Sequence, residues 1–398
     1  MAPPVPTQVM QGIEVPASSI QPAEFFKLTR RLRITERTIA AFAGLGSTDN
    51  IPILQTGVVS GILLQFQGQV VVNLAAGTAA TTGRWPYDLI RAVRLSANGQ
   101  SNLINVHGGK LKAREIMARG DLTDRGVPQG VGGASPGTSR VQGTLSLNTE
   151  AWGLGQNVTA IPGAPTTYPV NLEWYIPVAF DDLTLVGAIF AQTSATDLNI
   201  AIDWAPSSDL FILTGAATAV VTGAVTATAT VYSIPQAANG DIIVPDLSVF
   251  HSLIESRVPV MTNGDNEIRL AGQGVGKQLL RLYGQTFNQA VAGNPVPLAV
   301  NAVNYGNVAW RFGGNDTPEV YPNGLLHAHV VEKMFDCDLG TLGGYWVHDF
   351  ASENAFRDSV DEGGATELRY LLNIPSGVVL TNAFGEYVQE TVSVGSAA

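Results

Sequence analysis

His327 and His329 are the residues whose types and spacing most invite chemistry. They stand two apart in GLLHAHVVE, with Glu332 close behind. In a strand, that spacing puts both imidazoles on one face, as a metal site inside a β-barrel requires. The rest of such a site is missing. Glu332 comes one residue too soon for the usual motif, and Leu380 stands where a further histidine is expected after Pro375-Ser376-Gly377. The pair is read as structural, on a strand over 324–334.

Three other patterns fail for physical reasons. Gly133-Ala134-Ser135-Pro136-Gly137 matches the G-x-S-x-G pattern of a serine nucleophile. The residue after that serine must offer a backbone N–H to the oxyanion, and proline has none. Gly272, Gly274, Gly276 and Lys277 suggest a phosphate loop, but Ala271 replaces its first glycine and Gln278 the hydroxyl residue that would hold magnesium. A bulged hairpin is expected there. Asp181-Asp182, Asp336 with Asp338, and Asp361-Glu362 could be glycosidase carboxylates only if two faced each other across a cleft. Turns and solvated strand ends account for them. No catalytic, cofactor-binding or metal-binding residue is therefore assigned, and neither enzymatic activity nor a cofactor is expected.

Cys337 is the only cysteine, so an internal disulfide and a cysteine metal cluster are excluded. A reducing place of synthesis fits. The opening MAPPVPTQVMQGIEVP lacks the basic start and apolar run of a signal peptide, so the sequons at Asn157 and Asn315 carry little weight.

The elements that would position these residues are strands. In Asn171 to Trp204, Leu172, Trp174, Ile176 and Val178 alternate, and Leu198, Ile200, Ile202 and Trp204 repeat that period of two. Tyr345, Trp346, Val347 and Phe350, followed by Leu368 to Ile374, form a weaker copy. Further strands are expected at 31–39, 51–56, 61–74, 89–95, 141–147, 266–270, 278–287, 307–312 and 387–394. Asn98-Gly99 is a hairpin signal. The uncharged run from Leu210 to Gly240 alternates Thr226, Thr228 and Thr230 with Ala227, Ala229 and Val231, a strand rather than a membrane-spanning helix. Helices are expected at 109–119 and from Leu247, where Phe250, Leu253 and Ile254 follow Pro245 and Asp246 at helical spacing.

Taken together, residues 1–22 form a flexible arm, 23–236 a first β-sandwich with a Gly-rich excursion at 120–169, and 237–398 a second. The halves align in order: Leu89 to Val93 with Leu279 to Tyr283, the Trp174 strand with the Trp346 strand, and Leu198 to Trp204 with Leu368 to Ile374. The fold class is all-β, two consecutive eight-stranded jelly-roll sandwiches with a few short helices.

Charged residues make up 14% of the 398, against about a quarter in typical soluble domains. A surface so poor in charge suggests cover by neighbouring subunits. The net charge of −11 argues against a protein that grips nucleic-acid phosphates. One basic cluster, Lys27, Arg30, Arg31, Arg33 and Arg37, is either a solvated strand face or a contact for an anionic surface such as lipid headgroups or nucleic acid.

The succession WYIPVAF, DLTLVGAIFAQ and LNIAIDW resembles the signature region of the tectivirus-type double jelly-roll major capsid proteins of bacteriophages with an internal membrane. PYDLIRAV, HGGKLKAREIMARG, TVYSIPQAANGDIIVPDLSVFHSL and GGYWVHDF agree in order, so scattered blocks from Gly61 to Ile374 carry the likeness. It implies a pseudo-hexagonal homotrimer that tiles an icosahedral virion shell over an internal membrane, beside vertex or penton proteins and minor capsid proteins. It also implies synthesis in the host cytoplasm, no sequence-specific nucleic-acid binding, and a basic cluster facing the membrane or a neighbouring trimer. A carbohydrate-binding or phage-spike β-sandwich is the alternative.

Overall fold

The computed structural model describes residues 8–10, 13–15, 21–73, 77–97, 100–119, 165–192, 198–236, 238, 240, 242–270, 277–291, 294–311, 317–335, 339–340, 343–351, 359–361 and 368–394. Sixteen strands carry the architecture. The first eight are β1 (Arg31–Ala41), β2 (Thr48–Pro52), β3 (Val58–Asn73), β4 (Ile90–Ala97), β5 (Gln100–Val106), β6 (Thr166–Pro177), β7 (Leu198–Trp204) and β8 (Thr218–Tyr232). The second eight are β9 (Val249–Val258), β10 (Gly264–Leu270), β11 (Lys277–Val291), β12 (Val308–Arg311), β13 (Glu319–Tyr321), β14 (Tyr345–Asp349), β15 (Leu368–Ile374) and β16 (Phe384–Val394). Three helices matter: α1 (Pro22–Leu28), α2 (Gly108–Arg119) and α3 (Gly324–Phe335).

Pairing sorts the first eight strands into two facing sheets, β1-β8-β3-β6 and β2-β7-β4-β5. The second eight give β9-β16-β11-β14 and β10-β15-β12-β13. Adding eight to each strand number of the first set reproduces the second. Each set is therefore a jelly roll, and helix α2 or α3 fills the same connection in both, between the fifth and sixth strands.

Local patterning explains the walls. β7 alternates buried and half-buried residues along LNIAIDW, and β8 buries Val225, Ala227, Ala229 and Val231 between threonines. These residues join Ile62, Leu64 and Phe66 of β3 in one apolar cluster that fills the first roll and continues into the second through Leu253, Tyr283, Val347 and Val388. The second roll has its own cluster, with Trp310, Trp346, Tyr370 and Leu372 at its centre.

The rolls are joined through their backbones. β5 lies parallel to β9, with Leu253 opposite Ile104 and Ile254 opposite Asn105, so that a sheet of the first roll runs into a sheet of the second. The result is one ten-stranded sheet across both. Mid-sheet placement explains why β9 is a strand, where the spacing of Leu247, Phe250, Leu253 and Ile254 suggests a helix. Pinned between β5 and β16, β9 buries residues on both faces and shows no alternation.

Other expectations also change. The stretch over 324–334 is helix α3, so His327 and His329 do not share a strand face. Asn323 Oδ1 accepts the Leu326 N–H (2.9 Å) in the manner of a helix N-cap, and His327, Ala328, Val331 and Phe335 form the buried stripe. Leu89 to Val93 does not correspond to Leu279 to Tyr283: β4 answers β12, and β11 answers β3. The matches of the Trp174 strand with the Trp346 strand, β6 with β14, and of β7 with β15 do hold. The excursion expected to reach Pro169 ends earlier, because β6 begins at Thr166. The strand expected at 141–147 lies outside the described residues, as do most of the N-terminal arm and residues 120–164.

Candidate functional site

Where the rolls meet, the chain buries several charged residues. Helix α2 carries Lys110, Lys112, Arg114 and Glu115, all buried, beside Leu111, Ala113 and Ile116. It can lie so deep because its start is glycine. A Cβ on Gly108 would fall 2.2 Å from the Tyr87 carbonyl oxygen, and Asp88 Oδ1 accepts the Gly109 N–H (2.8 Å) to cap the first turn. Tyr283 and Tyr345 of the second roll donate their hydroxyls to the carbonyls of Lys110 and Gly109, at 3.3 and 3.2 Å.

Glu390 on β16 is the hub. Arg114 donates to its Oε1 through Nε (3.0 Å) and Nη2 (2.9 Å), Arg281 Nη1 reaches its Oε2 (3.0 Å), and His251 Nε2 lies 3.0 Å from Oε1. Arg281 also holds Asp349 at 3.0 Å, and Arg114 Nη2 donates to the Phe180 carbonyl. Burial alone would raise the Glu390 pKa, but the two guanidiniums and His251 hold it well below the carboxylate range. Arg114 belongs to the first roll and Glu390, Arg281, His251 and Asp349 to the second, so the cluster is a lock between them. Such a lock contributes fit rather than raw affinity, because desolvation offsets most of its Coulomb energy.

A second charged group lies along the same junction. Arg84 bridges Asp88 (2.9 Å) and Glu386 (2.5 Å). His107, at the end of β5, faces Glu255 of β9, whose Oε2 accepts from the His107 backbone N–H and lies 2.8 Å from Nδ1. Arg84, His107, Glu255 and Glu386 line a cavity of about 560 Å³ that opens between the rolls. Nothing in the sequence pattern marks this junction. Its residues come from segments 84–114, 251–285 and 345–390, with Phe180 from between the first two, and only the sheet topology unites them.

The residues singled out from sequence are dispersed. His327 is buried beside Tyr321 and His348, while His329 and Glu332 are exposed on another face of α3, 3.4 Å apart. The Val347 N–H donates to His327 Nε2 (3.1 Å), so that nitrogen is an acceptor of a neutral ring. Burial, with His348 nearby, pushes His327 down to about 3. Asp181 closes a turn, accepting the N–H groups of Leu183 and Thr184 (3.1 Å each). Gly133 to Gly137, Gly272 to Gly276, Asp336, Cys337 and Asp338 lie outside the described residues.

The basic cluster sits at an outer edge. Lys27 ends α1, and Arg30, Arg31 and Arg33 are exposed at the start of β1, the border strand of its sheet. Arg37 lies further along β1, opposite Ala227. α1 is anchored by Phe25, fully buried against Tyr232 with ring centroids 6.2 Å apart, while Leu28 and Leu32 face outward.

No protein-family model matches the sequence, and no curated protein matches it. Solved structures do. The chain is similar to the STIV major capsid protein at a TM-score of 0.61 and 12% identity, over 92% of this chain and 97% of that one. It is similar to the Faustovirus major capsid protein at 0.55 and 10%, over 97% and 92%. It is also similar to the PBCV-1 virus capsid chain at 0.52 and 13%, over 93% and 95%. At these identities the likeness establishes the double jelly-roll fold.

Proposed function

We propose that this chain is a major capsid protein that self-assembles as pseudo-hexagonal homotrimers, which tile an icosahedral virion shell over an internal membrane. The observation that carries the reading is the repetition of one strand order in two rolls locked side by side. Three such chains present six comparable edges, so one gene product can fill a near-hexagonal lattice. The solved structures of the same fold belong to virus capsids, which supports this reading. On it, residues 23–236 and 237–398 are the two rolls, residues 1–22 an arm, and neighbouring trimers, vertex proteins and minor capsid proteins the partners.

Composition supports self-association. Of the few charged residues, Asp88, Lys110, Lys112, Arg114, Glu115, Arg281, Glu386 and Glu390 are buried inside the chain. Each of these is one charge fewer at the outer surface, and interfaces with few charges associate with little repulsion. The exposed Lys27, Arg30, Arg31 and Arg33 beside Leu28 and Leu32 suit the inner side of the shell, against anionic lipid. Triple charge reversal at Arg30, Arg31 and Arg33 tests the arrangement. The variant chain is expected to fold, as judged by its melting curve, yet to give few closed particles by negative-stain microscopy. Normal particle yield and lipid content would overturn the inward placement.

A further inference from the structure

The cavity between the rolls holds two carboxylate oxygens without a partner among the described residues. Glu255 uses Oε2 for both bonds to His107, and Glu386 uses Oε1 for Arg84. Glu255 Oε1 and Glu386 Oε2 are buried with no hydrogen-bond partner among the described residues. The side chains are only 9% and 4% exposed, so bulk water does not satisfy these oxygens freely. A buried anionic oxygen left bare costs more than almost any other polar group. A donor atom from each of His107, Glu255 and Glu386 lies within 4.8 Å of the others.

We propose that His107, Glu255 and Glu386 form a divalent transition-metal site that staples the first jelly roll to the second. One imidazole and two carboxylates suit Zn²⁺ or Mn²⁺, whereas Ca²⁺ favours an all-oxygen cage. Tetrahedral bonds of about 2.0–2.2 Å set ligand atoms roughly 3.3 Å apart, within the observed spread. The His107 Nδ1 to Glu255 Oε2 contact of 2.8 Å is shorter than that, so a ring nitrogen and carboxylate must part slightly to admit the ion. On binding, an imidazole nitrogen gives its lone pair to the metal, and any proton it carries leaves to solvent.

The cavity lining sets the carboxylates of Asp209, Glu255 and Glu386 against the guanidiniums of Arg84, Arg91 and Arg257, and Arg84 is already paired with Asp88 as well as Glu386. Arg257 at the rim is occupied over the Phe384 ring, 4.0 Å from its centroid. Among the other lining side chains, Asn105, Ser208, Ser256 and Gln289 are uncharged and leave room for water at the open coordination positions.

Titration of the purified full-length chain with Co²⁺ tests the site, because its visible d–d bands report nitrogen and oxygen ligation. We expect the bands to saturate at one equivalent per chain, to vanish on adding Zn²⁺, and to survive His329→Ala, which removes the exposed alternative. His107→Gln and Glu255→Gln should each weaken Co²⁺ binding at least about tenfold. Melting of each variant in chelator shows that it is folded. Absence of stoichiometric binding by the unaltered chain would overturn the proposal, leaving water as the occupant. So would equal affinity in both variants, or loss of binding in His329→Ala.

Discussion

The two rolls repeat one strand order with different interiors. The first packs Ile62, Leu64, Val225, Ala227 and Ile202 with the rings of Phe66, Trp174 and Trp204 in one apolar cluster. In the second, His327, His348 and Glu319 sit at one end of an aromatic cluster, with His348 Nδ1 2.9 Å from Glu319 and rings of Tyr321, Trp310 and Tyr370 around it. Topology is thus set by which strands can pair and bury a face, and tolerates either chemistry inside. Titration separates the halves: the second contains neutral histidine where the first holds hydrocarbon.

The junction between them is where the largest effect is expected. Glu390→Ala strands Arg114 and Arg281 without their shared carboxylate, and removal of one member of a buried pair costs about 3–5 kcal/mol. Urea unfolding should show that loss and, if the lock joins the rolls, two transitions in place of one. A single transition with an unchanged midpoint would mean that the rolls hold together without it.

Equivalent aromatic positions offer the next comparison. Trp174 on β6 and Trp346 on β14 are both fully buried, and substitution by alanine should cost about 3–5 kcal/mol in either. Phenylalanine should separate them. Trp174 Nε1 donates to the Tyr87 carbonyl (3.2 Å), whereas Trp346 Nε1 has no hydrogen-bond partner among the described residues. Trp174→Phe should therefore be about 1 kcal/mol the more costly, by the worth of a buried hydrogen bond.

Acid should unfold the second roll before the first. His327 is held near 3 when folded but titrates at its ordinary 6.5 when unfolded. The unfolded chain thus binds more protons between those values, and stability falls as pH drops through that window, by up to about 1.4 kcal/mol per pH unit. Glu319 adds to the loss from about 4.5 downward. Burial would raise it, but the hydrogen bond and charge of His348 hold it at about 2 when folded. Amide hydrogen exchange followed as the pH is lowered should show β12 losing protection at higher pH than β6. The reverse order would break the comparison.

The smallest effect is expected at the surface. Arg94 and Asp203 pair at 2.6 Å between β4 and β7, with the Arg94 side chain 43% exposed. Water and salt screen that pair, and Arg94→Ala should cost under about 1 kcal/mol.

Much of the fold was legible because strands with one buried face write a period of two. Leu198 to Trp204 and the Trp174 strand show it, and their second-roll partners were matched correctly on that ground. The errors have physical causes too. LIRAV and LLRLY look alike, yet the second lies inside the long strand β11, which pairs on both sides, and sequence does not state partners. α3 was hidden because His-Ala-His alternates like a strand while its helical stripe is read only four residues at a time. The charged junction was illegible: lysines and arginines of α2 read as surface, and their carboxylate partners lie up to 276 residues away.

The central claim, that two equivalent rolls make one chain a six-sided tile, is tested most directly by light scattering on the purified full-length chain. The account predicts a monodisperse particle of three times the chain mass. A particle that stays at the mass of a single chain across concentration would contradict it.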